Sequence, residues 1–176
     1  MAMPTMKDSI FSNTLTYICE HNARGALGLV INRPTDLNLM GLFKQLGILQ
    51  LSESVNQSTP ILFGGPVQMD CGFVLHRPIG KWQSSLAVNK EIALTTSLDI
   101  MKAIANNEGP ENTLIALGYA GWSPGQIESE LSQNTWLTVP ASHEVIFNLT
   151  SEEKFTAAMQ LLGIHDANLS HEVGHA

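Results

Sequence analysis

A chain of 176 residues, 44% apolar, is long enough to bury one sizeable core, and no linker-like stretch divides it, so a single domain over 1–176 is expected. A formal charge of −7, from nine lysines and arginines against sixteen aspartates and glutamates, argues against a groove that tracks a phosphate backbone. No apolar run approaches the roughly 20 residues that cross a bilayer and the start does not read as a signal peptide, so no membrane association, a cytoplasmic location and two free thiols, Cys19 and Cys71, are expected.

Leu15 to Cys19 and Ala26 to Ile31 read as strands joined by the polar turn from Glu20 to Gly25, an antiparallel hairpin. The second strand opens a near-repeat: Gly28-Leu29-Val30-Ile31-Asn32-Arg33-Pro34 recurs as Gly72-Phe73-Val74-Leu75-His76-Arg77-Pro78, and two of the three arginines sit in it. Each copy is a branched apolar run that starts at a glycine and stops at a proline, as a buried strand leaving a turn would. A period of two puts Leu29, Ile31 and Arg33 on one face with Val30 and Asn32 on the other, and sorts Phe73, Leu75 and Arg77 from Val74 and His76 in the same way. Each strand end therefore offers a guanidinium and a neighbouring polar group. Two uses fit: each arginine pins a loop through a carboxylate or free carbonyls, or Asn32, Arg33, His76 and Arg77 grip a small anion.

Past Pro34, Thr35 or Asp36 can cap a helix that buries Leu39, Leu42, Phe43 and Leu46, with Gly47 placed to end it. Ser52 to Ser58 reads as a surface loop, Pro60 to Phe63 as a strand entering Gly64-Gly65-Pro66, and Phe73 to Leu75 as its successor. Glu91 to Thr95 is a short strand meeting a helix capped by Thr96 or Ser97, with Leu98, Met101, Ile104 and Ala105 inward. Thr113 to Tyr119 is the most apolar strand, and it leads to a helix with Ser123 as cap, Pro124 in the first turn and Gln126 completing a capping box. Trp136 to Val139 and Glu144 to Phe147 read as short strands, after which Thr150 and Glu153 open a helix with Phe155, Ala158, Met159 and Leu162 inward. Hairpins mixed with strand–helix units predict an α+β fold with a mixed sheet.

Three motifs carry chemistry. His171-Glu172-Val173-Gly174-His175 matches the H-E-x-x-H zinc pattern, but its central glycine, missing third ligand and position beside the last residue mark a chance match, so no metal is assigned to His171, Glu172 or His175. Cys19 precedes Glu20 and His21; an adjacent imidazole lowers a thiol's pKa while burial and a carboxylate raise it, so both a packing thiol and a reactive one fit. Gly118-x-x-Gly121 with Trp122 and Ser123 sets glycines and free amides beside a helix start, where an anion could sit or where the loop merely turns tightly.

The run Tyr17-Ile18-Cys19-Glu20-His21-Asn22, then Gly25 to Pro34, closely resembles the bacterial AlgH/YqgE family. Phe63-Gly64-Gly65-Pro66-Val67, Gly72 to His76, Ala93 to Ser97, Ala116 to Trp122, Gly125-Gln126 and Trp136-Leu137 continue the pattern in order, so the resemblance spans nearly the whole chain and takes in the Gly174-His175-Ala176 ending. It implies an α+β domain with a bifurcated sheet, part of it rolled into a small barrel, surrounded by helices. The family has no established activity, and its regulator name does not imply DNA binding. Members commonly carry an apolar strand before the Ala2-Met3-Pro4 position, so a truncated N-terminal strand is expected here, leaving an unpaired edge beside the first hairpin. Cys19 matches the family pattern; Cys71 does not.

The leading expectation is a non-catalytic ligand-binding or regulatory protein without a cofactor, its partner a small anion or another protein. Its contacts would lie at Asn32, Arg33, His76 and Arg77 and at Gly118, Gly121, Trp122 and Ser123. The alternative is a thiol redox sensor or enzyme that uses Cys19 with His21 or His76, and the third is a DNA-associated regulator.

Overall fold

The apolar periodicities resolve, in a computed structural model that describes residues 1–163, into eight strands, four α-helices and one π-helical turn. In chain order they are β1 (Thr16–Asn22), β2 (Gly25–Val30), β3 (Pro34–Asn38), α1 (Leu39–Gln45), β4 (Pro60–Phe63), β5 (Val67–Arg77), β6 (Ser85–Ala87), β7 (Ala93–Thr95), α2 (Leu98–Ala105), β8 (Asn112–Trp122), α3 (Gln126–Ser132), the π turn Glu144–Asn148 and α4 (Ser151–Leu161).

β8 is the axis on which the sheet forks. Along one side it pairs antiparallel with β5, from Gly72 opposite Leu117 to Arg77 opposite Asn112. Along the other it pairs first with β4, in parallel, at Ala116 and Leu117, and then with β2, antiparallel, from Ala120 to Trp122. The fork needs bare backbone where β4 leaves. A Cβ on Gly64 would stand 2.2 Å from the Gly118 carbonyl oxygen, and one on Gly118, at φ +71°, 2.3 Å from that of Gly65. The main path runs β1-β2-β8-β5-β7-β6, with β3 and β4 as the branch. The α+β class and the forked, mixed sheet expected from the sequence are what forms, the antiparallel part curling into a half-barrel.

Strand periodicity sorts the core onto two faces. Leu29, Ile31, Leu62, Phe73, Leu75 and Leu114 lie on one, covered by Val145 and Ile146 of the π turn and Ala158 and Met159 of α4. Ile61, Val74 and Ile115 lie on the other, beneath Leu42 and Phe43 of α1 and Ile100 and Met101 of α2. Each leucine-sized side chain so buried contributes about 1.5–3 kcal/mol.

Several elements depart from the sequence reading. Residues 34–38 pair with β4 as a strand before the helix begins, so the N-cap of α1 is Asn38, whose Oδ1 accepts from the Gly41 N–H, rather than Thr35 or Asp36. Leu46 and Leu98 are exposed. α3 starts at Gln126 behind a left-handed Gly125; of the box expected at Ser123, the Ser123 N–H does donate to Gln126 Oε1 at 3.0 Å. Trp136 makes a single bridge to Ala2 where a strand was expected, and the branched run after Glu144 coils into the π turn because that seats Val145 and Ile146 on the sheet. The Thr150–Glu153 capping box is present in full. Among the described residues, no helix is long and apolar enough to cross a membrane.

Candidate functional site

The polar end of the first repeat copy ties down the segment before β1. Asn32 Oδ1 accepts from the Leu15 N–H at 2.7 Å, and its Nδ2 donates to the Asn13 carbonyl at 3.0 Å. Arg33 donates to the carbonyls of Ile10 and Ser12, with its guanidinium carbon 6.0 Å from the centre of the Phe63 ring. This is the loop-pinning geometry, a planar fork closing on free carbonyls.

The second copy ends differently. Arg77 lies 3.5 Å from the Glu91 carboxylate, which also holds His143 Nε2 at 3.1 Å. His76 is fully buried, with Nδ1 2.9 Å from the Pro78 carbonyl, Nε2 2.8 Å from Thr95 Oγ1 and its ring edge-on to Trp82. A carbonyl only accepts, so Nδ1 carries the proton and Nε2 receives the Thr95 hydroxyl. Burial lowers the His76 pKa, against the opposing pull of the Pro78 carbonyl. None of Asn32, Arg33, His76 and Arg77 lines either of the two cavities described below.

Cys19 falls in a β-bulge of β1, between Ile18 and Glu20, and is 5% exposed. Its Sγ lies 3.6 Å from the Tyr17 carbonyl, and burial pushes the thiol up to about 12 although the Leu29 backbone bond opposes this. His21 is engaged elsewhere, its Nε2 2.7 Å from Glu128 on α3. Cys71 is exposed. His171, Glu172 and His175 lie outside the described residues.

Of the glycine loop, Gly118 serves the fork, while Gly121, Trp122 and Ser123 line an open hollow of about 520 Å³ with Glu20, Arg24 and Tyr119. A second cavity, of about 240 Å³, is walled almost wholly by apolar groups. It lies between Leu15–Ile18 and the segment 137–142, over Ile31, Val145, Ile146 and Ala158. The Thr16 hydroxyl oxygen at its wall is buried with no hydrogen-bond partner among the described residues. Trp122 and Trp136 close one end, both donating their indole N–H to Glu130 Oε2 at 2.9 and 2.8 Å.

Sequence reasoning missed this cavity and the lysine next to it. Lys154 sits one helical turn before Ala158, 5% exposed, its Nζ donating to the Ile31 carbonyl at 3.0 Å, and burial lowers the ammonium to about 8. The i,i+4 spacing from Lys154 to Ala158 was the available signal, since it sets the lysine on the inward stripe of α4.

A forked mixed sheet with helices on both faces defines an α+β protein with an apolar cavity at one sheet edge. The chain belongs to the AlgH-like family, whose profile matches residues 1–167. It is 60% identical over 176 residues to a UPF0301 protein of Nitrosospira multiformis, covering 100% of this chain and 94% of that one. A UPF0301 protein of Nitrosomonas eutropha is 55% identical with the same coverage. Among solved structures, the solution structure of the AlgH protein from Pseudomonas aeruginosa superposes with a TM-score of 0.82 at 49% identity, over 100% of this chain and 93% of that one. Protein DIP2367 from Corynebacterium diphtheriae shares the fold, with a TM-score of 0.72 at 17% identity over 91% and 83% of the two chains.

Proposed function

We propose that this protein is a non-catalytic binding protein whose ligand enters the apolar cavity beside β1. The cavity's lining carries that reading: apart from hydroxyls such as that of Thr16 and the indole N–H groups of Trp122 and Trp136, its side chains among the described residues are apolar, with no carboxylate, imidazole, thiol, lysine or arginine among them. Such a wall holds an apolar group by excluding water. The proton-retaining Cys19 favours packing over redox chemistry, and the net charge of −7 favours a protein or small-molecule ligand over nucleic acid. The engagement of Asn32 and Arg33 with chain carbonyls favours loop pinning over an anion grip.

The test is titration with anilinonaphthalene sulfonate, an apolar reporter dye. The expected result is saturable enhancement of dye emission in the parent protein, lost in an Ala158→Phe variant that fills the cavity and keeps the parent's circular dichroism. Absence of saturable binding to the parent protein overturns the proposal.

A further inference from the structure

The open hollow beside β8 is the gap left by one absent side chain. Glu20 stands opposite Leu27 and Leu27 opposite Gly121, so the three form one row across β1, β2 and β8 on one face of the sheet. Tyr119, two residues before Gly121 and opposite Val67, shares that face. The row is filled at Glu20 and Leu27 and bare at Gly121. There the hollow of about 520 Å³ opens, with Leu27, Val67 and Tyr119 as its apolar sides. Its floor strands, β2 and β8, are interior to the sheet, and of its lining only Trp122 also lines the apolar cavity.

Main chain adds polar groups to the floor. The Val30 N–H donates away from β1, to the Gly64 carbonyl at 2.8 Å, so by alternation Gly28 and Ala26 turn their peptide groups toward β8 and Leu27 does not. Gly121, opposite Leu27, therefore turns its N–H and C=O away from β2, to the side where the ladder with β5 has its last pair at Tyr119 and Val67. One donor and one acceptor are left at the edge of the hollow with no strand opposite.

Among the described residues, the rim carries one charge of each sign, Glu20 and Arg24. Asn22 Nδ2 donates to Glu20 Oε1 at 2.6 Å and steadies the carboxylate, while Asn22 Oδ1 accepts from the Arg24 N–H at 2.8 Å and folds the turn that brings the guanidinium back toward Glu20. Arg24 Nη2 and Glu20 Oε1 stand 3.8 Å apart, beyond hydrogen-bond length, so the fork and the carboxylate keep donors and acceptors for another partner. We propose that this hollow binds a free α-amino acid with an apolar side chain. Its ammonium meets Glu20 and the Gly121 carbonyl, and its carboxylate meets Arg24 and the Gly121 N–H. Its side chain takes the place of the one Gly121 lacks, against Leu27, Val67 and Tyr119. A ligand of single charge would leave one rim charge unanswered, whereas an α-amino acid hangs both charges from one carbon, close enough to match a pair 3.8 Å apart. The site is additional to the apolar cavity and does not rest on it.

The probe is L-leucine, titrated calorimetrically into the whole chain beside leucinamide, which lacks the carboxylate, and N-acetyl-leucine, which lacks the ammonium. Leucine should bind saturably and each blocked form about tenfold or more weakly, through loss of one charge-assisted contact. Glu20→Gln should weaken leucine by about tenfold and leave N-acetyl-leucine unchanged. Gly121→Val should abolish leucine binding and keep the parent's circular dichroism, because a Cβ there meets no backbone, its nearest neighbour being Tyr119 Cε2 at 3.3 Å. Leucinamide binding as tightly as leucine would make the site a cation trap, and N-acetyl-leucine doing so an anion trap; either overturns the proposal. So does a Glu20→Gln protein that prefers leucine to N-acetyl-leucine as strongly as the parent does. Absence of saturable leucine binding overturns it outright, and undiminished binding by folded Gly121→Val overturns the assignment to this hollow.

Discussion

Lys154 offers the Ile31 carbonyl one of its three donors and has little access to water for the others, which is why its ammonium is held at about 8 against 10.5 for a free lysine. Below pH 8 the side chain is charged in both folded and unfolded chains and the cost of burying that charge is fully present. Between 8 and 10.5 the unfolded chain keeps a proton that the folded one has released, so stability rises with pH across that window, by about 3 kcal/mol. Lys154→Met should abolish this rise, and at pH 7 it should gain about 2 kcal/mol, the relief of charge burial less the loss of one bond to Ile31. Urea melts of both proteins at pH 7 and at pH 10 separate the lysine from Cys19, whose raised pKa lowers the stability of both proteins above pH 9, and a parent-to-variant difference that is the same at both pH values would contradict the assignment. The two thiols should separate as sharply. In the native protein at pH 8 a maleimide should label Cys71 alone, and in denaturant both; rapid native labelling of Cys19 would show a thiolate its burial forbids.

At the level of elements, the repeat that runs through the end of β2 and the buried half of β5 has copies that differ in what their first glycine faces. A Cβ at Gly28 would meet Thr16 Cγ2 at 2.8 Å, whereas at Gly72 it would meet nothing within 4 Å. Gly72→Ala should leave stability within about 0.5 kcal/mol of the parent, while Gly118→Ala, with positive φ and a backbone oxygen at 2.3 Å, should cost about 3 kcal/mol or more. Chemical denaturation compares them, and equal melts would mean that the fork tolerates a side chain. α3 is fastened to the end of β8 by Glu130, which accepts two indole N–H groups and the Gln126 amide; Glu130→Ala should cost about 2 kcal/mol and shift tryptophan emission to longer wavelength.

What could be read in advance follows the range of the forces concerned. The Thr150–Glu153 box, the end of α1 at Gly47 and the limits of β4 were legible because each is fixed within a few residues of chain. β3 and the π turn were not: residues 34–38 extend because they meet β4, and residues 144–148 coil because Val145 and Ile146 have a sheet face to cover. The arginines were legible as fork-shaped donors, but their partners, the carbonyls of Ile10 and Ser12 and the carboxylate of Glu91, lie in segments that no local pattern associates with them. Lys154 was hidden because a single lysine in a polar helix reads as solvated until the stripe it shares with Ala158 is counted.

Across the whole molecule, helices cover both sheet faces, and one edge, that of β1, has no strand partner beyond β2 among the described residues. A chain of charge −7 should not be retained on duplex DNA at physiological salt, and a mobility-shift assay showing a discrete complex there would require a local basic face that outweighs the acidic surplus.

The fork on β8 also bears on how the chain is made. β2, β4 and β5 all lie before residue 78, yet each depends for a neighbour on a strand that starts at Asn112. As the polypeptide leaves the ribosome, at about 5–20 residues per second, these strands wait seconds for the axis that joins them, with Leu29, Leu62 and Phe73 uncovered in the meantime. Synthesis that stalls before β8 emerges therefore leaves a nascent chain with sticky, unmatched strands, a natural client for a ribosome-associated chaperone.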